Sequence, residues 1–305
     1  ADGRCLRVSR SEHPELFWAL AGCGPNFGVV TSATLSACEM RPFAVARHHL
    51  AMPEAPASSS QLLAAYGELS SELPRSASAD CLLYYRGEGG LRMGVYDYFQ
   101  HGLGECVHKQ RPVGADLAAQ GWELLEQGLE PCVSVLDLFR LEPYLQQQPK
   151  GTLLPAGEEG LGFFVRAIFV SAPLPAAVVE QLLLSLRAAP CRHCYVHFQH
   201  AGGAVADRAP GEAAFSARAL EWSIVITGCW PRPDEKGLEE QCREWVQRAA
   251  RSLLPCALGT YATDLGPDDP ELAAHAYGEN REELLRLKRL WDPSGVFGAG
   301  FPLGD

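Results

Sequence analysis

No stretch of this chain approaches the ~20 consecutive apolar residues that a membrane-spanning helix requires, which excludes a helical span on sequence grounds. Positive charge is scarce as well: 26 Lys and Arg stand against 37 Asp and Glu, a net charge of −11. That balance argues against nucleic acid as a partner, because phosphates call for a basic face. It fits an acidic, solubilising surface. There is no internal repeat, and residues 1–20 carry no leader-peptide pattern, so the sequence leaves the localisation open.

What is present is the composition of a folded globular protein. At 305 residues and 47% hydrophobic the chain has enough apolar surface for a substantial core, in one large domain or two small ones. Cysteine is plentiful, at 11, and odd in number. Most of these residues sit in apolar or mixed runs, such as Ala37-Cys38, Pro131-Cys132-Val133 and Gly228-Cys229-Trp230, where free cysteine behaves as a small buried hydrophobe. That usage favours a reducing compartment over a disulfide framework. The run Cys191-Arg192-His193-Cys194-Tyr195-Val196-His197-Phe198-Gln199-His200 superficially offers zinc ligands. Tyr195 to His200 alternates as a strand does, which sends His197 and His200 to opposite faces, and no metal is expected there.

Periodicity along the chain is that of an α+β protein. Ser58 to Leu73 repeats Leu62, Leu63, Tyr66, Leu69 and Leu73 near a 3.6-residue period and is read as a helix. Cys81 to Tyr85 and Leu91 to Phe99 are strands joined through Gly87-Glu88-Gly89-Gly90. Gly162 to Val170, Tyr195 to His200 and Glu221 to Trp230 are further strands; Pro175 to Arg187, Leu238 to Leu253 and Glu282 to Leu290 are helices. Strands joined by glycine turns, with amphipathic helices between them, predict an antiparallel sheet from Cys81 to Tyr261 with helices on one face. Pro53 to Ser60 and Gly266 to Pro270 read as loose connections.

Near the start, Leu16-Phe17-Trp18-Ala19-Leu20 precedes the loop Ala21-Gly22-Cys23-Gly24-Pro25-Asn26-Phe27-Gly28 and the β-branched Val29-Val30-Thr31. Gly22, Gly24 and Gly28 are free to take positive φ and let a ligand reach backbone N–H groups, while Val29 to Thr31 have strand character. Helix, glycine loop and strand in that order suit a phosphate- or flavin-contacting loop, although many strand-entry loops carry as many glycines and bind nothing.

Ser11-Glu12-His13-Pro14-Glu15-Leu16-Phe17-Trp18-Ala19-Leu20, the glycine loop and Asn26 to Thr31 together resemble the end of the FAD-binding domain in berberine-bridge-enzyme-like flavin oxidases, within the vanillyl-alcohol-oxidase or PCMH-type flavoproteins. Ala1-Asp2-Gly3 is similar to the turn that precedes it there. Tyr277-Gly278-Glu279-Asn280, Leu284, Lys288, Trp291-Asp292-Pro293 and Phe297 resemble that family's C-terminal segment. Gly202-Gly203-Ala204, Phe215, Arg218 and Trp230 fall in the family's order between the two ends, so the resemblance covers nearly the whole chain.

The resemblance implies FAD as cofactor, with the flavin touching Gly24, Asn26, Phe27, Gly28 and Val29 through backbone groups. It implies residues 1–41 as the end of a PCMH-type FAD-binding domain, 42–265 as an antiparallel-sheet substrate domain and 266–305 as a segment returning to the FAD side. The family's pyrophosphate loop and flavin-linking His and Cys precede the Ala1-Asp2-Gly3 turn, so a C-terminal portion of a flavoprotein is expected, inactive alone and partnered by an N-terminal FAD-binding half. In such enzymes a protein base takes a proton while the flavin removes a hydride. A tyrosine serves only if its pKa, ~10 when free, is lowered by a neighbouring charge or donor. Tyr261, in Gly259-Thr260-Tyr261-Ala262-Thr263-Asp264, falls where the family carries a tyrosine facing the flavin. A tyrosine packed at a strand edge is the alternative.

Departures from the family pattern reduce the catalytic inventory. Ser223 and Val225 stand where a second polar or basic side chain is expected, Thr263 replaces an Asn, and Glu283 replaces an arginine. The usual polar tail reads Gly298-Ala299-Gly300-Phe301-Pro302, and Cys23 and Pro25 interrupt the glycine run, Pro25 removing one backbone donor. Two functions therefore stand side by side. One is an FAD-dependent oxidoreductase acting on a small alcohol, sugar or secondary metabolite, with this chain as its substrate side. The other is a non-catalytic remnant that binds a small molecule or a partner without flavin.

Overall fold

Alternating burial along the strands builds the centre of the molecule. The computed structural model describes residues 2–37, 43–86, 89–99, 111–132, 160–232, 234, 237–266, 269–298 and 303. Among the described residues eight strands form one sheet: β1 (Phe43–Ala51), β2 (Ala77–Tyr85), β3 (Leu91–Phe99), β4 (Leu124–Cys132), β5 (Gly160–Val170), β6 (Tyr195–His200), β7 (Trp222–Arg232) and β8 (Ala257–Thr260). Their order is β4-β1-β3-β2-β6-β7-β5-β8, and every neighbouring pair is antiparallel. The helices are α1 (Pro14–Cys23), α2 (Pro56–Ser71), α3 (Val113–Ala119), α4 (Ala176–Arg187), α5 (Leu238–Leu253), α6 (Pro270–His275) and α7 (Arg281–Trp291).

Cys81, Leu83, Met93, Val196, Phe198 and Ile224 enter the same apolar cluster as the buried stripes of α2, α4 and α5. The intervening Val45, Leu82, Tyr84 and Tyr96 make a second cluster on the opposite face, as the two-residue period requires. Helix α5 buries Cys242, Trp245, Val246 and Ala249, a stripe at helical spacing. It lies against β7 because Gly228 is small: a Cβ there would stand 3.0 Å from both the Cys242 carbonyl oxygen and Val246 Cγ2.

The sheet is wider than the sequence reading predicts. β1 precedes Cys81, and β4 and β8, inside the expected span but not read as strands, form its two edges. Pro53 to Ser60 is not loose either. Pro56 opens α2, where its missing N–H costs nothing, and Ser59 Oγ donates to the Pro53 carbonyl at 2.5 Å while Arg187 reaches both groups. Asp269, in the second expected loose connection, is buried against the Arg166 guanidinium. Val29 to Thr31 run without strand pairing among the described residues. β-Branched residues favour extended backbone, but a strand needs a neighbouring edge to complete its hydrogen bonds.

The two ends of the chain meet. Helix α1 packs against α7, and the His13 and Trp291 rings stand edge to face with centroids 5.2 Å apart. Lys288 Nζ, in α7, donates to the Asn26 carbonyl at 2.7 Å and pairs with Asp292 at 2.5 Å. Asp292 also accepts the amides of Val296 and Phe297, each at 2.9 Å. Trp18 takes another partner, donating from Nε1 to the Gly211 carbonyl at 2.8 Å.

Helix α3 has no cap of its own; Asp97 of β3 reaches across to accept the Val113 and Gly114 amides at 2.8 and 3.3 Å. Burial pushes this carboxyl up to about 7, against the pull of the two amides, and the negative Asp116 adds to the rise. His48, whose Nδ1 lies 3.9 Å from Asp97, is itself lowered by burial and held neutral.

Two predictions follow from these buried charges. The folded pKa of Asp97 lies above its unfolded value, so its stabilising contribution is full below about pH 4 and is lost as pH rises through 7. Asp97→Asn therefore gains on the wild type between pH 5 and pH 8, by about 2 kcal/mol in urea unfolding, whereas Asp97→Ala loses the caps at both pH values. Asp292 is the opposite case. Burial works to raise its pKa, but Lys288 and the two amides prevail and hold it at about 2, so its contribution is present above pH 4 and lost on acidification. Lys288→Met strands that carboxylate and costs about 3 kcal/mol at pH 7. Adding Asp292→Asn restores part of the loss, which the same unfolding curves measure.

Candidate functional site

The glycine loop is fixed in three directions. Gly22 alone among Gly22, Gly24 and Gly28 takes positive φ, at 139°, and a Cβ on it would lie 2.3 Å from the Phe215 nitrogen. That close approach lets Phe215 donate its amide to the Ala21 carbonyl, while Ala214 donates to Trp18, each at 3.2 Å. Asn280 Nδ2 holds the same segment from behind, donating to the carbonyls of Pro210 and Ala213 at 2.9 Å. Gly24-Pro25-Asn26 then forms one turn of 3-10 helix, closed by the Phe27 amide on the Gly24 carbonyl at 3.0 Å.

Asn26 is turned inward and 1% exposed. Its Nδ2 lies 3.2 Å from Cys23 Sγ and 3.4 Å from the Tyr277 hydroxyl, and its carbonyl is taken by Lys288. Beyond Phe27, which is also buried, the backbone emerges extended, with Val29 and Val30 exposed. Among the described residues the amides of Gly28, Val29 and Val30 donate to no other backbone carbonyl.

Tyr261 faces this emerging segment. It follows β8, donates its amide to the Ala167 carbonyl at 3.1 Å, and packs its ring 6.3 Å from Phe169, which in turn meets Phe215. Nearly half of Tyr261 is exposed. The turn after it is held by Arg166, a buried guanidinium that donates to the Asp264 carbonyl at 2.5 Å and pairs with Asp269. A cavity of about 610 Å³ lies between the two elements, with Gly24, Gly28 and Val29 on one wall and Tyr261, Thr263 and Tyr277 on the other. A second cavity, of about 910 Å³, lies on the other side of the emerging segment, between Phe27 to Ser32 and residues 2–6, Trp291 and Phe297. Gly24, Gly28, Val29 and Tyr261 thus come together around one space, Phe27 lines the neighbouring one, and Asn26 lines neither.

The two tyrosines of the first cavity differ in chemistry. Burial pushes the Tyr277 phenol far above its ordinary pKa, and its hydroxyl is engaged with Asn26, so it stays protonated. Tyr261 is the accessible one. Strand register extends its surroundings across the sheet: Ala167 pairs with Val225, Val225 with His197, and Phe169 with Ser223, which puts Ser223 and Val225 on the face that carries Tyr261. His197 lies further along, with Nε2 3.4 Å from Asp80, whereas His200 contacts Ser78 and Glu221. Among the described residues no group of three His, Cys, Asp or Glu is placed to hold a metal ion.

Sequence reasoning missed Arg166 and Asp269, and weighed His197 only as a zinc ligand. The Arg166 to Asp269 pair spans 103 residues, and only the strand register shows that His197 shares a row with Ala167.

No family model matches the chain. An FAD-linked oxidoreductase of Dictyostelium discoideum is 24% identical over 299 residues, covering 97% of this chain and 59% of the relative. An FAD-linked oxidoreductase of Aspergillus fumigatus is 24% identical over 311 residues, 99% of this chain and 58% of its own length. One of Pyricularia oryzae reaches 62% identity over 34 residues, 11% of this chain and 7% of that protein. The chain therefore spans less than two thirds of the length of the curated relatives it matches along its whole extent. Among solved structures, the berberine-bridge-enzyme-like protein 1 of Physcomitrella patens superposes with a TM-score of 0.74 at 17% identity, over 98% of this chain and 62% of that one. Xylooligosaccharide oxidase of Myceliophthora thermophila, solved with xylobiose, gives a TM-score of 0.70 at 20% identity, over 97% and 62%. Sequence relatives and fold point the same way: the chain is similar in sequence to curated FAD-linked oxidoreductases and shares the fold of berberine-bridge-enzyme-like proteins.

Proposed function

We propose that this chain supplies the substrate side of an FAD-dependent oxidoreductase of oxidase type, acting on a small alcohol, sugar or secondary metabolite, with Tyr261 as the proton acceptor. The observation that carries the reading is the opposition of a half-exposed tyrosine to a glycine-lined wall across about 610 Å³. The residues present fit the cofactor. A Cβ at Gly28 would meet nothing within 4 Å, and the Gly28 and Val29 amides have no backbone acceptor among the described residues, so a planar polar ring has both room and donors. Exposed Val29 and Val30 supply apolar surface for such a ring to cover.

Gly24, Gly28 and Val29 would hold the cofactor, with Phe27 supporting them from beneath, while the inward turn of Asn26 limits it to a structural part. FAD, when bound, supplies the hydride acceptor. Tyr261 takes the proton of the substrate hydroxyl at its phenol oxygen. Ala167 neighbours it on β5, Ser223 and Val225 follow on β7, and none of them is a base. Residues 1–41 are read as the edge of the FAD-binding domain, 42–265 as the substrate domain and 266–305 as the returning segment. The share of the relatives that this chain does not match, together with the exposure of Val29, Val30 and Leu35, supports an N-terminal FAD-binding half as the covering partner.

The test joins this chain to a family-type N-terminal half and follows flavin bleaching by stopped flow. Tyr261→Phe is expected to retain the bound flavin and slow reduction by ~10²-fold, the scale for loss of a general base. An unchanged rate would assign Tyr261 to packing. Failure of the joined protein to take up FAD would favour the flavin-free binding module.

A further inference from the structure

Cys191 and Cys194, spaced as a Cys-X-X-Cys motif, meet two more thiols in the fold. Cys194 lies at the entry to β6, Cys229 near the end of β7 and Cys242 in α5. The sulfurs of Cys194 and Cys242 are 3.8 Å apart, and both residues are fully buried. One backbone unit of β7 holds them together: the Cys229 carbonyl accepts from Cys194 Sγ at 3.7 Å and from Cys242 Sγ at 3.5 Å, and the Cys229 amide donates back to Cys194 Sγ at 3.5 Å. Cys191 sits at the start of a turn closed by the Cys194 amide on its carbonyl at 3.0 Å, and it is partly exposed.

We propose that Cys194 and Cys242 are a disulfide-forming pair, oxidised by a hydroperoxide that enters through Cys191. The two buried sulfurs stand 3.8 Å apart, and a disulfide closes them to ~2.05 Å. Burial raises the pKa of both thiols, so each reacts slowly with a dissolved oxidant, and each attacks a neighbouring sulfur as its proton passes to the departing group. Cys191 is within reach of solvent. Its thiolate attacks hydrogen peroxide; an S–O bond forms, the O–O bond breaks, and hydroxide leaves as water after taking a proton. Cys194 then attacks the Cys191 sulfenic acid, forming an S–S bond and releasing the second water with the Cys194 proton. Cys242 finally attacks the Cys194 sulfur, and Cys191 departs as a thiol with the Cys242 proton. In sum, two thiols are oxidised and one hydrogen peroxide is reduced to two waters. The product ties strand β6 to helix α5 across 48 residues of sequence.

Treatment of the whole chain with hydrogen peroxide, followed by denaturing alkylation, non-reducing digestion and mass spectrometry, tests this. A single intramolecular cross-link joining the Cys194 and Cys242 peptides is expected. Cys191→Ser should slow its appearance by ~10-fold or more, since it removes the exposed thiol, yet leave the same cross-link forming slowly under a disulfide-exchange oxidant. Cys242→Ser should instead trap a Cys191 to Cys194 disulfide. Full alkylation of Cys194 and Cys242 after oxidation, or a cross-link that omits either of them, overturns the pairing. An unchanged rate in Cys191→Ser overturns the entry role. The wild-type map decides the pairing even where a variant folds poorly.

Discussion

Lys288 shares its ammonium between the Asn26 carbonyl and the Asp292 carboxylate, groups that lie 262 and 4 residues away in the chain. Asp292 has no exposed side-chain surface. A carboxylate so placed is costly unless paired; Lys288 pairs it from within the same segment and also donates to the Asn26 carbonyl, which ties the two ends of the chain together. The Val296 and Phe297 amides complete the coordination of Asp292 and fix the segment that closes over the second cavity. The glycine-lined wall of the candidate site depends on this arrangement, because Lys288 holds the Asn26 carbonyl between Gly24 and Gly28.

Tyr261 is placed by a separate device. Arg166 crosses beneath β8 to hold the Asp264 carbonyl and the Asp269 carboxylate, and its guanidinium lies 4.0 Å over the Phe164 ring. The turn that follows the tyrosine is thereby anchored to β5, the same strand whose Ala167 carbonyl receives the Tyr261 amide. One strand thus fixes the tyrosine before and after its own position. Phe215 joins the two devices, since its amide is bonded to the glycine loop and its ring to Phe169. The cavity is the gap between two independently anchored elements, which explains why it persists with small residues lining one side.

The helices were legible where the apolar stripe was strong. Leu238 to Leu253 has the same bounds in sequence and structure because its stripe is continuous and charged residues fill the other face. The inner strands were legible from alternation and β-branched content, as at Tyr195 to His200. β1 and β4 were not: Phe43–Ala51 contains an Arg and two His, and Leu124–Cys132, at the sheet edge, contains Glu, Gln, Gly and Pro, compositions that hide a strand. Val29 to Thr31 erred in the other direction, since local propensity sets the extended backbone but a ladder requires a partner edge. Of the loop residues, Gly24, Gly28 and Val29 reached the cavity, whereas Asn26 turned inward because Cys23, Tyr277 and Lys288 satisfied it. Nothing local in the sequence signals those partners.

The face that carries Tyr261 also limits what the proposed reaction can ask of the protein. Ala167, Val225 and His197 follow the tyrosine in one row, each on the next strand. With strands about 4.8 Å apart, His197 stands roughly 14 Å from the tyrosine's strand position. Proton transfer within a single step needs contact near ~3 Å, or one intervening water, so His197 cannot act as a second base at the carbon that Tyr261 serves. Its engagement with Asp80 fits an orienting or structural part instead. On the proposed reading, the substrate must therefore present its hydride-bearing carbon and its acidic proton together, as a carbinol does. The apolar lining of the cavity, with Val29, Phe215 and Ala276, would then orient the rest of the molecule by shape, leaving the chemistry to one phenol.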